Sequence, residues 1–250
     1  MKKVGIIGCG WLGYRIAEYI SGQYEVYTTT STQDKMGKLT SRGFKPTLVN
    51  FSDNEILKDL AQWEALSTLD IIIITVPFSE KGSLSNRAHN LFSFLGDFKG
   101  QVFFMSSTGV YPNIDKVFLE EDLSSDAVWG ERIIKEKYPQ VNILRLAGLM
   151  GDERLLRNYK VANLDFAVNH IHYIDICLVV EKMMEKQLNS KLYNVVAPLH
   201  PTKAEVINAQ NNIEYVEKCE VKGKIISSST LSADLDFVFK FPDPRNFHLN

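Results

Sequence analysis

Apolar residues occur along the chain in short continuous runs that alternate with longer segments in which apolar positions recur at helical spacing. Residues 70–76 form the clearest run, a series of β-branched residues closed by Pro77. Such alternation is typical of a parallel sheet covered by helices on both faces. The predicted strands are residues 4–7, 25–29, 47–51, 70–76, 101–106, 141–146, 192–196 and 224–228. The predicted helices are residues 11–20, 55–66, 85–95 and 125–137, and residues 171–184 read as a strand end leading into a helix.

The order of these elements predicts an α/β protein with a Rossmann doubly wound parallel sheet and a small C-terminal substrate lobe. We expect residues 1–165 to form the dinucleotide-binding domain and residues 166–250 to form most of the lobe. No clean linker separates the two, and the strand at 171–176 is expected to return to the first domain with its helix.

Composition narrows the class of protein without naming a function. The 250 residues are 45% hydrophobic and 23% charged, with a formal net charge of -2, so neither a nucleic acid nor an anionic membrane is an expected partner. No apolar run reaches the roughly 20 residues that span a bilayer. The first residues enter a strand without a signal-peptide pattern, which favours a cytoplasmic protein. The three cysteines are far apart and are expected to be free thiols.

A glycine motif follows the first predicted strand directly. Gly8, Gly10 and Gly13 form a G-x-G-x-x-G turn that opens the helix containing Trp11 and Leu12. In a dinucleotide site the first glycine permits the tight turn, the second lets a pyrophosphate approach the backbone, and the third lets the helix pack on the strand. The helix N-terminus offers N–H groups to the phosphates. The motif predicts a dinucleotide site in which Trp11 and Leu12 also border the cofactor.

The end of the second strand bears on the choice between NAD and NADP. An NAD site usually has an Asp or Glu there to bind the ribose hydroxyls. Here the strand ends in hydroxyl residues that include Thr30 and Ser31, with neither a carboxylate nor an arginine. Hydroxyls can donate to a phosphate, and a missing carboxylate removes its repulsion. This pattern favours NADP over NAD.

Further cofactor contacts are expected where the other parallel strands end, because ligands bind at the carboxyl ends of such strands. The residues expected there are Asn50, Phe51, Thr75, Val76, Pro77, Ser106, Ala147 and Gly148, together with Trp129 on the helix that follows the fifth strand.

Three longer segments carry a family resemblance. Residues 104–112 resemble the SS-x-x-VYG segment, residues 144–151 the R-x-x-x-x-YG segment, and residues 169–176 the IH-x-x-DL segment of extended short-chain dehydrogenases/reductases. With the glycine turn they fall in the expected order and cover nearly the whole chain. The sequence resembles the NAD-dependent epimerase/dehydratase branch, in its shortened, atypical members. The resemblance implies structural roles near the pocket for His172 and Asp175, and no metal.

The acid/base pair of that family is missing. These enzymes use Tyr-x-x-x-Lys after the fifth strand to move a proton as hydride moves to or from the nicotinamide. Here Trp129 stands at the tyrosine position and Ile133 at the lysine position. An indole and an aliphatic side chain cannot relay a proton.

Other residues near these motifs are candidates to replace the missing pair. Ser107 holds the position of the family's Ser/Thr, with either a catalytic role or a role in capping the strand-to-loop turn. Tyr111 is the phenol that could replace the missing acid. Glu131 and Lys135 lie four residues apart, which predicts a surface ion pair.

Two functions therefore stay open. One is an NAD(P)-dependent oxidoreductase or isomerase acting on a sugar-nucleotide-like or other small hydroxy or keto substrate. The other is a non-catalytic dinucleotide sensor or regulator. A third class, the β-hydroxyacid dehydrogenases and pyrroline-carboxylate reductases, has a largely helical C-terminal domain. The strands predicted at 192–196 and 224–228 argue against this class. The chain is expected to be a monomer or a homodimer.

Overall fold

The structure, a computed structural model, describes residues 1–51, 55–57, 60–78, 84–214 and 221–249. Its strands are β1 (Lys3–Ile7), β2 (Glu25–Thr30), β3 (Lys45–Leu48), β4 (Ile71–Ile74), β5 (Gln101–Ser107), β6 (Val117–Phe118), β7 (Asn142–Leu146), β8 (Gly148–Met150), β9 (His170–His172), β10 (Leu192–Val195) and β11 (Ile225–Ile226). Its α-helices are α1 (Trp11–Ile20), α2 (Gln33–Ser41), α3 (Leu84–Leu95), α4 (Trp129–Lys137), α5 (Tyr173–Glu185), α6 (Lys203–Gln210) and α7 (Ser229–Leu235).

The central sheet has seven strands in the order β3-β2-β1-β4-β5-β7-β10. β1 pairs in parallel with β2 and β4, and the parallel pairing continues from β2 to β3 and from β4 to β5. The chain builds outward from β1 to β3 and then returns to β4, so the strand order reverses between β1 and β4. In open sheets of this kind ligands bind at the carboxyl ends of the strands beside that reversal. The predicted Rossmann α/β fold class is confirmed.

The chain divides into two compact units that alternate along the sequence. The first consists of Met1–Ser106, Ser125–Ile143 and Met184–Lys191, and the second of Ser107–Ser124, Leu144–Met183 and Leu192–Asn250. The sequence predicts that a substrate lobe begins near residue 165. This assignment of a substrate lobe to residues 166–250 stays a prediction.

The first unit is built around β1 and β4. All four residues of β4 are buried, and α1 packs its apolar face with Leu12, Ile16, Ala17 and Ile20 buried. The last segment of the unit is held by its backbone, because the side-chain amides of Gln101 and Asn142 each donate to the carbonyl oxygen of Leu188 at 2.7 Å. Residues 184–191 are therefore part of the same packed unit as the first strands.

A polar network lies inside the second unit. Arg145 is fully buried, and its guanidinium donates to the Tyr111 hydroxyl at 2.7 Å and to the Leu123 carbonyl oxygen at 2.8 Å. The Tyr111 hydroxyl donates onward to Asn194 Oδ1 at 2.9 Å, and the Asn194 N–H donates to a Glu120 carboxylate oxygen at 2.7 Å. A buried charge is tolerated when its hydrogen bonds are made, and these groups meet that condition.

The predicted helix over residues 55–66 is wrong. Among the described residues of that segment no α-helix forms, and Glu64–Thr68 makes a short 3₁₀ turn. The backbone N–H of Trp63 donates to the carbonyl oxygen of Phe94 at 2.9 Å, and the Trp63 ring stacks on the Phe94 ring with centroids 5.4 Å apart. The backbone N–H of Trp63, which would bond within a helix, is therefore hydrogen-bonded to α3 instead. Positions 58–59 of the prediction lie outside the described residues.

Two elements differ from prediction around β2. The predicted third strand at 47–51 is shifted, because β3 covers Lys45–Leu48 and ends where Leu48 pairs with Thr30. The sequence reasoning missed α2, a polar helix with Gly37 in its middle. Asn50 and Phe51 therefore follow β3 in a loop.

Two expectations drawn from composition concern cysteines and membranes. Cys9 and Cys177 are buried free thiols as predicted, and Cys219 lies outside the described residues. Within the described ranges, no helix is long and apolar enough to cross a bilayer.

Candidate functional site

A cavity of about 310 Å³ lies in the first unit where β1, β2 and β4 end. Many residues predicted from the sequence line it, namely Gly8, Gly10, Thr30, Ser31, Asn50, Phe51, Thr75, Val76 and Pro77. The lining residues that sequence reasoning missed are Cys9, Thr29, Lys35, Val49 and Arg87.

The glycine turn forms one wall of this cavity. Gly8 has a φ of +90°, and a Cβ atom there would meet Val76 Cγ2 at 2.7 Å. A Cβ atom on Gly13 would lie 2.5 Å from the Gly8 carbonyl oxygen, so only glycine lets α1 approach the turn this closely. At Gly10 the nearest atom to an added Cβ is 4.0 Å away, which leaves open space beside the backbone. The turn needs glycine at the first and third positions for its own shape, and at the second position it leaves room for a ligand.

Two threonines fix the conformation of the turn. Thr29 Oγ1 accepts the Gly8 N–H at 2.8 Å, and the Thr29 carbonyl oxygen accepts the Cys9 N–H at 2.8 Å. The Thr75 hydroxyl donates to the Gly8 carbonyl oxygen. Among the described residues no side chain caps the N-terminus of α1, whose N-cap is Gly10. The positive end of that helix dipole therefore faces the open space beside Gly10.

The charge on the cavity wall is positive. Lys35 in the first turn of α2 and Arg87 on α3 both contribute to the lining, and Arg87 Nη1 donates to the Pro77 carbonyl oxygen at 2.9 Å. No Asp or Glu is present among the described lining residues. A phosphate is therefore the kind of group that this wall attracts. Sequence reasoning missed Lys35 because it missed α2.

Trp11 and Leu12 are not among the residues that line this cavity. Trp11 lines a second cavity of about 440 Å³ with Arg15, Lys38 and Arg42 among its other residues. The Arg15 guanidinium carbon lies 3.9 Å from the centroid of the Trp11 ring, a cation–π arrangement. Leu12 is 7% exposed and belongs to the packed face of α1. Their predicted contact with a cofactor stays a prediction.

Ser107 and Tyr111, the two candidates for catalysis, lie in the second unit. Ser107 Oγ accepts the Gly109 N–H at 3.0 Å, which is the capping arrangement expected as the alternative to a catalytic role. Tyr111 is 2% exposed and holds the network described above. Burial raises the pKa of Tyr111, whereas proton transfer at neutral pH needs a lowered one.

The remaining predicted residues of the second unit pack against their neighbours. Ala147 is buried, and a Cβ atom on Gly148 would meet His170 Cδ2 at 2.6 Å. His172 is fully buried with its ring centroid 4.1 Å from that of Phe241, and Asp175 accepts the backbone N–H groups of residues 240 and 241. In the described part of the chain no group of three His, Cys, Asp or Glu residues could hold a metal ion.

Glu131 differs from its prediction. Its side chain is completely buried, and Glu131 Oε1 accepts a hydrogen bond from the Ser106 hydroxyl at 2.6 Å. Lys135 instead pairs with Asp126, with 2.9 Å between nitrogen and oxygen. The predicted surface ion pair is wrong because the face of α4 that packs inward carries Glu131 together with Ile134, three residues later.

The chain is similar to known proteins in its sequence and in its fold. No profile of a known protein family matches the chain. Protein YeeZ of Escherichia coli strain K12 is 27% identical over 269 residues, with 98% of each chain covered. Among solved structures, UDP-glucuronic acid 4-epimerase from Bacillus cereus, in complex with NAD, superposes with a TM-score of 0.74 at 13% identity, covering 98% of this chain and 94% of that one.

A second solved structure, dTDP-glucose 4,6-dehydratase from Bacillus anthracis in complex with NAD, superposes with a TM-score of 0.71 at 13% identity and covers 100% of this chain and 96% of that one. The chain therefore shares its fold with these two enzymes. The first α-helix after β5 is α4. It carries the half-buried Trp129 and Ile133 at the positions discussed above.

Proposed function

We propose that the first unit binds a nicotinamide dinucleotide and prefers NADP to NAD. One observation carries the proposal: the cavity at the reversal of strand order joins the glycine turn, the end of β2 and the end of β4 in a single wall. It is also the position at which open α/β sheets bind dinucleotides.

The described residues fit such a ligand. A pyrophosphate has room beside Gly10 and meets the uncapped N-terminus of α1 there. The hydroxyls of Thr30 and Ser31 and the ammonium group of Lys35 would hold a 2′-phosphate, since no described carboxylate on the wall repels it. Asn50 and Phe51, in the loop after β3, would border the adenine.

We further propose that the protein is an oxidoreductase or isomerase acting on a sugar-nucleotide-like or other small hydroxy or keto substrate. When bound, the dinucleotide would supply a hydride donor or acceptor. The neighbours in fold include a sugar-nucleotide epimerase and a dehydratase that hold NAD. Ser107 stays a candidate for a hydrogen bond to the substrate oxygen. Tyr111 is buried and its pKa is raised, which argues against a role for Tyr111 in proton transfer.

One observation favours a second function, a dinucleotide sensor without catalysis. Trp129 and Ile133 occupy the positions of the usual proton-transfer pair, and neither side chain can ionise near neutral pH. A screen of hydroxyl and keto sugar nucleotides, followed by the absorbance of the reduced dinucleotide, separates the two functions. Turnover of any of them supports the enzyme, whereas tight binding without turnover across the screen supports the sensor.

Binding itself is tested by titrating the purified chain with NADPH and NADH and following tryptophan and dinucleotide fluorescence. We expect Gly10→Val to weaken binding of both by at least about tenfold, because the valine side chain fills the open space beside the turn. The nearest atom to the new Cβ is 4.0 Å away, so the variant should still fold. Unchanged affinity in a folded Gly10→Val variant would refute the site.

The preference for NADP is tested at Lys35. We expect Lys35→Gln to weaken NADPH binding by about tenfold, the effect of one charge-assisted hydrogen bond, and NADH binding by less than about twofold. Lys186→Gln removes the same charge at an exposed position of the first unit that lines neither cavity, and it serves as the matched control. Equal losses for both dinucleotides at Lys35 would contradict a 2′-phosphate contact.

A further inference from the structure

We infer that Glu131, acting through the Ser106 hydroxyl, replaces the missing tyrosine and lysine as the proton-transfer couple of this protein. The inference rests on the proposed function, because it assigns the couple to the redox end of the bound dinucleotide. The sequence alone does not point to Ser106 or Glu131 as a proton-transfer residue, because its pattern predicts that Glu131 lies on the surface.

The couple lies at the carboxyl edge of the sheet. β4 and β5 pair in parallel up to Ile74 opposite Phe104. Ser106 follows Phe104 by two residues, just as Val76, which lines the cavity, follows Ile74 by two residues. The start of α4 lies against the loop that follows, since a Cβ atom on Gly130 would meet Phe78 Cβ at 3.1 Å. Ser106 and Glu131 are thus held in the first unit at the strand end adjoining the cavity wall.

The contact between the two side chains has the geometry of a charge-assisted hydrogen bond. The Ser106 hydroxyl donates to Glu131 Oε1 at 2.6 Å, within the range typical of a hydroxyl bound to a carboxylate. A hydroxyl has one hydrogen, so this bond leaves the lone pairs of Ser106 Oγ to accept from another group. Ser106 is half-buried, whereas Glu131 has no exposed surface, so a substrate would meet the hydroxyl and not the carboxylate.

This arrangement allows a balanced proton transfer. During oxidation of an alcohol, the hydroxyl proton of the substrate passes to Ser106 Oγ while the Ser106 hydrogen passes to Glu131 Oε1. The substrate C–H bond breaks, its electron pair leaves as hydride for the oxidised nicotinamide dinucleotide, and the C=O bond forms. Ser106 ends as a hydroxyl and Glu131 as a neutral carboxyl, and a reduction follows the same path in reverse.

The test uses binding of NADP⁺ and NADPH to the full chain, because the oxidised nicotinamide is a cation and the reduced one is neutral. A carboxylate that serves the redox end favours the oxidised form. We expect Glu131→Gln to weaken NADP⁺ binding by at least about threefold relative to NADPH, and Glu131→Asp to restore part of the difference. Glu136→Gln, an exposed change of the same charge on the same helix, is the matched control and should leave the ratio unchanged.

Each outcome decides. A ratio that Glu131→Gln leaves unchanged, or equal losses for both dinucleotides, overturns the inference and indicates a structural role, while the proposed dinucleotide site stands. Failure of the wild-type chain to bind either dinucleotide overturns the proposed function and the inference with it. If Glu131→Gln does not fold, Glu131→Asp decides: its shorter side chain withdraws the carboxylate from the redox end, so a ratio of NADP⁺ to NADPH affinity equal to that of the wild type overturns the inference.

Discussion

Replacing Gly13 by alanine tests the close contact between the first helix and the glycine turn. The added Cβ would lie 2.5 Å from the Gly8 carbonyl oxygen, 3.1 Å from Thr75 Oγ1 and 3.2 Å from Ile6 Cγ2. The first of these is a backbone atom held by the Thr75 hydroxyl, so it cannot rotate away. α1 must instead move away from the strand by an amount approaching 1 Å, which loosens its packed apolar face.

The magnitude follows from two opposing effects. Overpacking of a core contact costs about 1–3 kcal/mol, and a backbone clash belongs at the upper end of that range. Alanine recovers up to about 1 kcal/mol relative to glycine within a helix. The net loss in the free energy of unfolding is therefore about 2 kcal/mol, which lowers Tm by about 4–8 °C for a chain of this size.

The assay is thermal unfolding of the ligand-free protein followed by circular dichroism. Gly37→Ala is the matched control, because its Cβ meets nothing within 4 Å inside α2. We expect it to raise stability by about 0.5–1 kcal/mol. A Gly13→Ala protein that melts at or above the wild-type temperature would show that the turn and helix are not in the contact described.

Three further predictions concern the second unit and the altered catalytic positions. Tyr111→Phe should cost about 2 kcal/mol in urea unfolding, because it removes an acceptor from the buried Arg145, and should leave dinucleotide affinity unchanged; a stable variant that has lost activity would instead return Tyr111 to the catalytic candidates. Burial lowers the pKa of His170 from 6.5 to about 4, so its contribution to stability is complete above pH 6.5 and is lost as the pH falls towards 4. His170→Gln should therefore lose less unfolding free energy than the wild type between those pH values, and parallel pH profiles would contradict this. The double variant Trp129→Tyr with Ile133→Lys should not create a fast dehydrogenase, since the surrounding residues are not arranged to support the new pair; rapid turnover of a sugar nucleotide would prove this wrong.

The sequence predicted the part of the site that is local in the chain. Gly8, Gly10 and Gly13 lie within one strand-turn-helix unit, so their spacing alone determines how they meet. The end of β4 was equally predictable, because Pro77 closes an apolar run and parallel strands end at a common edge. Gly8, Gly10 and Pro77 line the cavity, and their prediction needed no information from distant parts of the chain.

Residues whose positions depend on packing were not predictable in the same way. Glu131 has a lysine four residues later, which is the spacing of a surface ion pair, and only the direction in which α4 packs makes it face Ser106. One signal was available: Glu131 precedes the fully buried Ile134 by three residues and so shares its helix face. Trp63 likewise does not lie in the predicted helix, because its backbone N–H donates to the carbonyl oxygen of a distant residue, Phe94.

The interleaving of the two units has a consequence for synthesis on the ribosome. The first unit depends on Met184–Lys191, whose Leu188 carbonyl oxygen accepts the amides of Gln101 and Asn142. When the chain has left the exit tunnel as far as Asn142, those two amides still await their acceptor. A nascent chain stalled near residue 165 would hold neither unit complete, so the first unit cannot finish folding cotranslationally until about half of the second has also emerged.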